Sequence, residues 1–132
     1  MNSLSASVQG CLTAPVREVE PGLLEATFLF RPDFIGFSGH FPGNPVLPGI
    51  VQIMAAAYTA GFGAPLPLRQ VKRCKFLRPV RPNEPLQVRM RTGTQAGTMR
   101  VQAVLRTVGE PCATMSLTFD GSGAPSSPIG LS

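Results

Sequence analysis

Histidine occurs once in this chain, tryptophan never, and cysteine three times at wide separation. Cys11, Cys74 and Cys112 form no CxxC pair and no Cys/His cluster, so a structural zinc site is not expected. They read as reduced thiols in or near the core, and no cofactor or metal is expected. No apolar run reaches the roughly 18–20 residues of a membrane-spanning helix. The first ten residues lack the basic start and apolar stretch of a secretory leader. A cytoplasmic protein without a membrane partner is the resulting expectation.

Acidic residues are missing most unevenly. Between Arg69 and Arg106 lie ten of the twelve basic residues and a single acid, Glu84. Such a field attracts anionic partners. Aromatics are sparse in this region and no recognition motif is present, so nucleic acid is not expected. An acidic carrier protein or a phosphorylated substrate arm fits the charge, and so does plain solvation of outer strand faces. Arg69, Lys72, Arg73, Lys75 and Arg78 are the candidate carrier-docking residues.

With 132 residues, 43% hydrophobic and 14% charged, the chain is expected to form one domain with one core over residues 1–120. The Gly/Ser/Pro-rich stretch 121–132 reads as a flexible tail. Leu23 to Phe30 reads as a strand, ended by Arg31-Pro32-Asp33. Phe34 to Gly49 is a Gly/Pro-rich loop, long enough to be functional. Ile50 to Ala60 is apolar nearly all round and predicts a buried helix, stopped by Gly61. A period of two follows, the mark of half-buried antiparallel strands. Val88 and Met90 oppose Arg89 and Arg91; Val101, Ala103 and Leu105 oppose Arg100, Gln102 and Arg106. Ala113, Met115, Leu117 and Phe119 share one face of a last strand. Leu68 to Arg78 is a further, mostly basic strand. Gln95-Ala96-Gly97 and Gly109-Glu110-Pro111 predict hairpin turns. The sum is an α+β layout, with an antiparallel sheet around one helix.

The loop ends in Gly39-His40-Phe41-Pro42-Gly43-Asn44-Pro45-Val46-Leu47-Pro48-Gly49, at the mouth of the helix. Neutral imidazole is a general base near pH 7, and a helix start offers free N–H groups that polarise a carbonyl. Together they suggest proton abstraction beside a carbonyl. The helix itself carries no acidic residue.

The run HFPGNPVLPG, with the apolar helix after it, resembles the His-Phe-Pro-x-x-Pro-x-x-Pro-Gly motif of the FabA/FabZ-type 3-hydroxyacyl-ACP dehydratases. The segment Val71 to Val80, with its basic-aromatic run ending in Arg-Pro-Val, resembles their strand after the helix. The resemblance covers Leu23 to Phe119. It implies the hotdog fold, a long central helix wrapped by an antiparallel β-sheet. It also implies acyl carrier protein or coenzyme A thioester substrates and a site shared between two subunits, in a homodimer or in a heterodimer with a hotdog homologue. By the match, His40 takes the base role, and Gly49 with Ile50 binds the thioester oxygen. The family's Glu or Asp fourteen residues after the histidine is Met54 here. One helical turn on, where Gln is frequent, stands Tyr58.

A thioether neither gives nor takes a proton, so Met54 reads as a packing residue, a lost acid or the wall of an apolar acyl tunnel. Tyr58 reads as a core residue with its hydroxyl bonded, or as a substitute donor. Asp33 lies just before the loop and is the weaker substitute. Gln52 lies early in the helix, where it has the chemistry to hydrogen-bond substrate or a partner; a place at solvent or at a subunit interface is the expectation. Phe34, Ile35, Phe37 and Phe41 are expected to pack the core or to line the acyl pocket. The functional expectation is a 3-hydroxyacyl-ACP dehydratase-like protein of fatty-acid or polyketide-type biosynthesis, with the missing acid replaced by a water, by Tyr58 or another group, or by an acid-bearing partner subunit; the alternative is a non-catalytic acyl-thioester-binding subunit.

Overall fold

The computed structural model describes residues 3–37, 43–64 and 66–120. His40, Phe41 and the expected tail at 121–132 lie outside the described residues. In chain order come α1 (Ser3–Gln9), β1 (Arg17–Glu20), β2 (Leu23–Phe28), a 3-10 turn (Ile35–Phe37), α2 (Gly49–Ala60), β3 (Leu68–Phe76), β4 (Leu86–Gln95), β5 (Thr98–Thr107) and β6 (Glu110–Asp120). The strands form one antiparallel sheet in the order β1-β2-β4-β5-β6-β3.

The alternating pattern holds in β4, β5 and β6. Val88, Met90, Val101, Ala103, Leu105, Met115, Leu117 and Phe119 are buried on one face, while Arg89, Arg91, Arg100 and Arg106 face outward. The apolar face packs on α2, whose Val51, Ala55, Ala56 and Tyr58 are buried. Two-residue hairpins join β4 to β5 at Ala96-Gly97 and β5 to β6 at Val108-Gly109. All four of these residues adopt positive φ, as the tight turn of a twisted hairpin requires. Glu110 and Pro111, expected in the second turn, are the first residues of β6. The strand expected to run to Phe30 ends at Phe28, and the one expected to run to Arg78 ends at Phe76.

Beyond β2 the chain stays in the core through aromatic contacts. Phe30 stacks near Phe28 at 6.1 Å between ring centroids and meets Phe34 edge-on at 4.7 Å. Phe34 in turn meets Phe37 at 5.7 Å, so this series ties the start of the functional loop to the sheet. The far end of the loop is held by the segment after β3. Leu47 N–H donates to Val80 O at 2.8 Å, and Arg81 Nη1 donates to Asn44 Oδ1 at 2.6 Å.

Two elements carry no clear signal in the sequence. α1 packs on α2 and buries Val8 completely; β1 is a fully exposed edge strand. Among the described residues no helix is long and apolar enough to cross a membrane.

Phe30 is fully buried at the centre of the aromatic series. Phe30→Ala is expected to cost about 3–5 kcal/mol of stability, read as a lower urea midpoint with an unchanged slope.

Candidate active site

The site is built around the first two turns of α2. Pro48 precedes the helix in an extended conformation and supplies no side-chain cap. Its carbonyl accepts from Val51 N–H at 3.0 Å and, more weakly, from Gln52 N–H at 3.4 Å. The N–H groups of Gly49 and Ile50 precede that first bond and take no partner among the described residues, the ordinary condition of an uncapped helix start. A Cβ on Gly49 would stand 2.7 Å from the tip of the Phe76 ring, so a larger residue there would push that half-exposed side chain aside.

Two grooves flank this helix start. One, of about 470 Å³, runs between Pro48, Gly49 and Gln52 on one side and Phe76, Leu77 and Arg78 on the other. The other, of about 190 Å³, is lined by Ile50, Ile53, Met54, Ala57, Tyr58 and Leu68, among others. Ile50, Ile53, Met54 and Ala57 follow helical spacing. They form the stripe of α2 that the sheet leaves uncovered: Ile50 is 57% exposed and the other three are half-buried. The helix expected to be buried all round is therefore covered on one side only within this chain.

The structure places Ile50, Met54 and Tyr58 on the smaller groove and Gly49 on the larger one. Neither groove is lined by a carboxylate. Asp33 lines a different groove with Cys11 and Arg31. Glu25 stands in β2, paired to Arg17 at 3.0 Å and to Arg89 at 3.3 Å. Tyr58 is buried, and its hydroxyl bonds Ser5 of α1 twice: it donates to the backbone carbonyl at 3.1 Å and shares a short bond with the side-chain hydroxyl. The phenol is thereby committed to holding α1 in place. Ser5 was missed by sequence reasoning, since a serine in a short polar stretch gives no signal of its own.

Gln52 corrects the sequence expectation. Only 3% of it is exposed, and it sits inside this chain beside Cys112 of β6, whose thiol lies 3.9 Å from Gln52 Oε1. Burial pushes the pKa of the Cys112 thiol up to about 11. Burial also raises Cys74, and burial followed by the charge of Asp33 raises Cys11. All three are free thiols. Among the described residues no group of three potential ligands is arranged to hold a metal.

The basic row lies on β3, an outer strand of the sheet. Arg69, Lys72, Arg73 and Lys75 are exposed along it, and Arg78 follows on the rim of the larger groove. The ion pairs among the described residues join Arg17, Arg89 and Arg91 to Glu25 and Glu20 on β1, β2 and β4. The β3 cations take part in none of these. The pairing of β3 with β6 is irregular between Lys72 and Lys75, where Arg73 takes a φ of 51°.

A family model described as ApeI-like, ApeI dehydratase, matches residues 17–115. The 3-hydroxyacyl-acyl-carrier-protein dehydratase FabZ of Latilactobacillus sakei is 40% identical over 94 residues, covering 63% of this chain and 66% of that protein. The match thus spans just under two thirds of that relative. Among solved structures, the dehydratase heterocomplex ApeI:P from Xenorhabdus doucetiae superposes with a TM-score of 0.64 at 19% identity, covering 83% of this chain and 96% of that one. The E. coli PaaI protein of the phenylacetic acid degradation operon gives 0.67 at 13% identity, with 89% of each chain covered. The fold is the hotdog fold.

Tyr58→Phe is expected to destabilise the protein by about 0.5–1.5 kcal/mol through loss of the bond to Ser5, measured by urea denaturation. Ser5→Ala in the Tyr58→Phe background is expected to add less than it does alone.

Proposed function

The chain belongs to the ApeI-like dehydratase family, and from that premise we propose that it is a subunit of a dehydratase acting on 3-hydroxyacyl thioesters. The observation that carries this reading is the uncapped start of α2, directly after the HFPGNPVLPG motif. His40 removes the α-proton. The N–H groups of Gly49 and Ile50 hold the thioester oxygen, where negative charge develops. The β-hydroxyl leaves as water once protonated, giving a 2-enoyl thioester. Phe41, Met54 and Tyr58 line the acyl path.

The proton for the leaving hydroxyl comes from a second subunit, a hotdog homologue with Glu or Asp where this chain has Met54. Three observations support a partner. Neither groove has a carboxylate in its lining. The apolar stripe of α2 lies open beside Leu68, and Phe76 of the outer strand is 49% exposed, the kind of apolar surface an assembly covers. A structural neighbour is itself a dehydratase heterocomplex. The substrate arrives in the cytoplasm on an acyl carrier protein, docked on Arg69, Lys72, Arg73, Lys75 and Arg78, or as a coenzyme A thioester, within fatty-acid or polyketide-type synthesis. A second reading, a non-catalytic subunit that only holds the acyl thioester, is favoured by the neutral Met54 and by the commitment of the Tyr58 hydroxyl to Ser5.

Dehydration of a 3-hydroxyacyl carrier protein is expected to be fast only for the complex with an acid-bearing homologue, and to vanish with His40→Ala. A folded complex that binds the thioester without turnover sinks the catalytic reading in favour of the second one. Met54→Glu in the chain alone is expected to raise its rate by about 10²–10⁴-fold. Reversing charge at Lys72 and Lys75 is expected to weaken carrier binding and flatten its salt dependence; unchanged binding would reduce the row to a solvated face.

A further inference from the structure

Gln52 is the one polar side chain of α2 that is buried and lines the groove at the helix start. A helix tilts each side chain toward its N-terminus. The carboxamide of Gln52 therefore leans back over the turn that carries Gly49, three residues earlier and on the same face. Both residues line the same groove.

The orientation of the carboxamide is set from behind. Cys112 is fully buried in β6, and with its thiol pushed up to about 11 it remains S–H at neutral pH. A thiol is a weak donor, and its sulfur lies 3.9 Å from Gln52 Oε1. With the oxygen turned to the thiol, the NH2 end is left to face the groove. That NH2 has no hydrogen-bond partner among the described residues, and no buried polar atom among them is stranded without one. The amide donors therefore reach the open space of the groove. There a bound ligand can replace solvent as the partner of these donors.

We infer that Gln52, oriented by Cys112, is a substrate-binding donor that adds a side-chain hydrogen bond to the thioester carbonyl held at the N-terminus of α2. The inference rests on the reading of that helix start as the thioester site. A neutral donor suits this role. Its hydrogen bond strengthens as charge develops on the oxygen.

The test uses the full chain with His40→Ala, so that the bound ester is not converted, and crotonyl-coenzyme A labelled with 13C at the thioester carbonyl. Two quantities are read: the dissociation constant by calorimetry and the carbonyl stretch of the bound ester by infrared difference spectroscopy. Gln52→Leu is expected to weaken binding roughly tenfold and to move the stretch back toward its value in water-free solvent. Cys112→Ala, which keeps Gln52 but frees its amide, is expected to give a broadened, partly relaxed band, and Cys112→Ser to restore it. A stretch unchanged in a folded Gln52→Leu protein that still binds the ester overturns the role of Gln52 while leaving the site intact. Failure of the His40→Ala protein with native Gln52 to bind the ester overturns the site reading and this inference with it.

Discussion

The structure depends on α2 being packed, through Val51, Ala55 and Ala56, against the apolar face of the sheet. At the helix start, Gly49 lies close to the ring of Phe76. Phe76 forms one wall of the larger groove, opposite Gly49 and Gln52. The packing of α2 on the sheet decides what the helix presents at its start: Gln52 toward the larger groove, Ile50 and Met54 toward the smaller one. The loop is anchored at both ends. The phenylalanine series holds its beginning to β2, and Val80 and Arg81 hold Leu47 and Asn44.

The helix is apolar on more faces than the sheet covers. Within one chain this leaves the stripe from Ile50 to Ala57 half open and the outer strand β3 without a neighbour on one side. The mismatch favours association. Burying such a stripe contributes at about 25 cal/mol per Å², and a chain that keeps it uncovered gains by acquiring a second layer. Met54 lies on this stripe, so the place where the family acid is missing is also a place that an assembly would close.

Much of the architecture was legible because burial imposes periodicity. β4, β5 and β6 each put one face on the core, and their alternation specified both strand and face. α2 was bounded by Pro48-Gly49 and Gly61, residues whose backbone chemistry permits few alternatives. A Cβ on Gly61 would stand 2.0 Å from Ala64 O. What escaped has equally physical causes. Ser3–Gln9 is too short and polar to signal a helix; it is held by Val8 in the core and by Ser5 on Tyr58. Arg17–Glu20 is exposed on both faces, so no alternation betrays it. Gln52 looked like a surface residue because its type is usually exposed, and only the packing of β6 beneath it reveals otherwise.

The outer strand has a consequence for aggregation and choice of partner. A free edge is a template for any passing strand. On β3 that template is spoiled by the irregular step at Arg73 and by a row of positive charge. Two identical edges meeting head to tail bring cation against cation, so self-recognition carries a repulsion that a less basic strand does not feel. Because mobile ions screen that repulsion, the ionic strength of the medium becomes a selector between like and unlike neighbours, written into the chain by a few arginines and lysines.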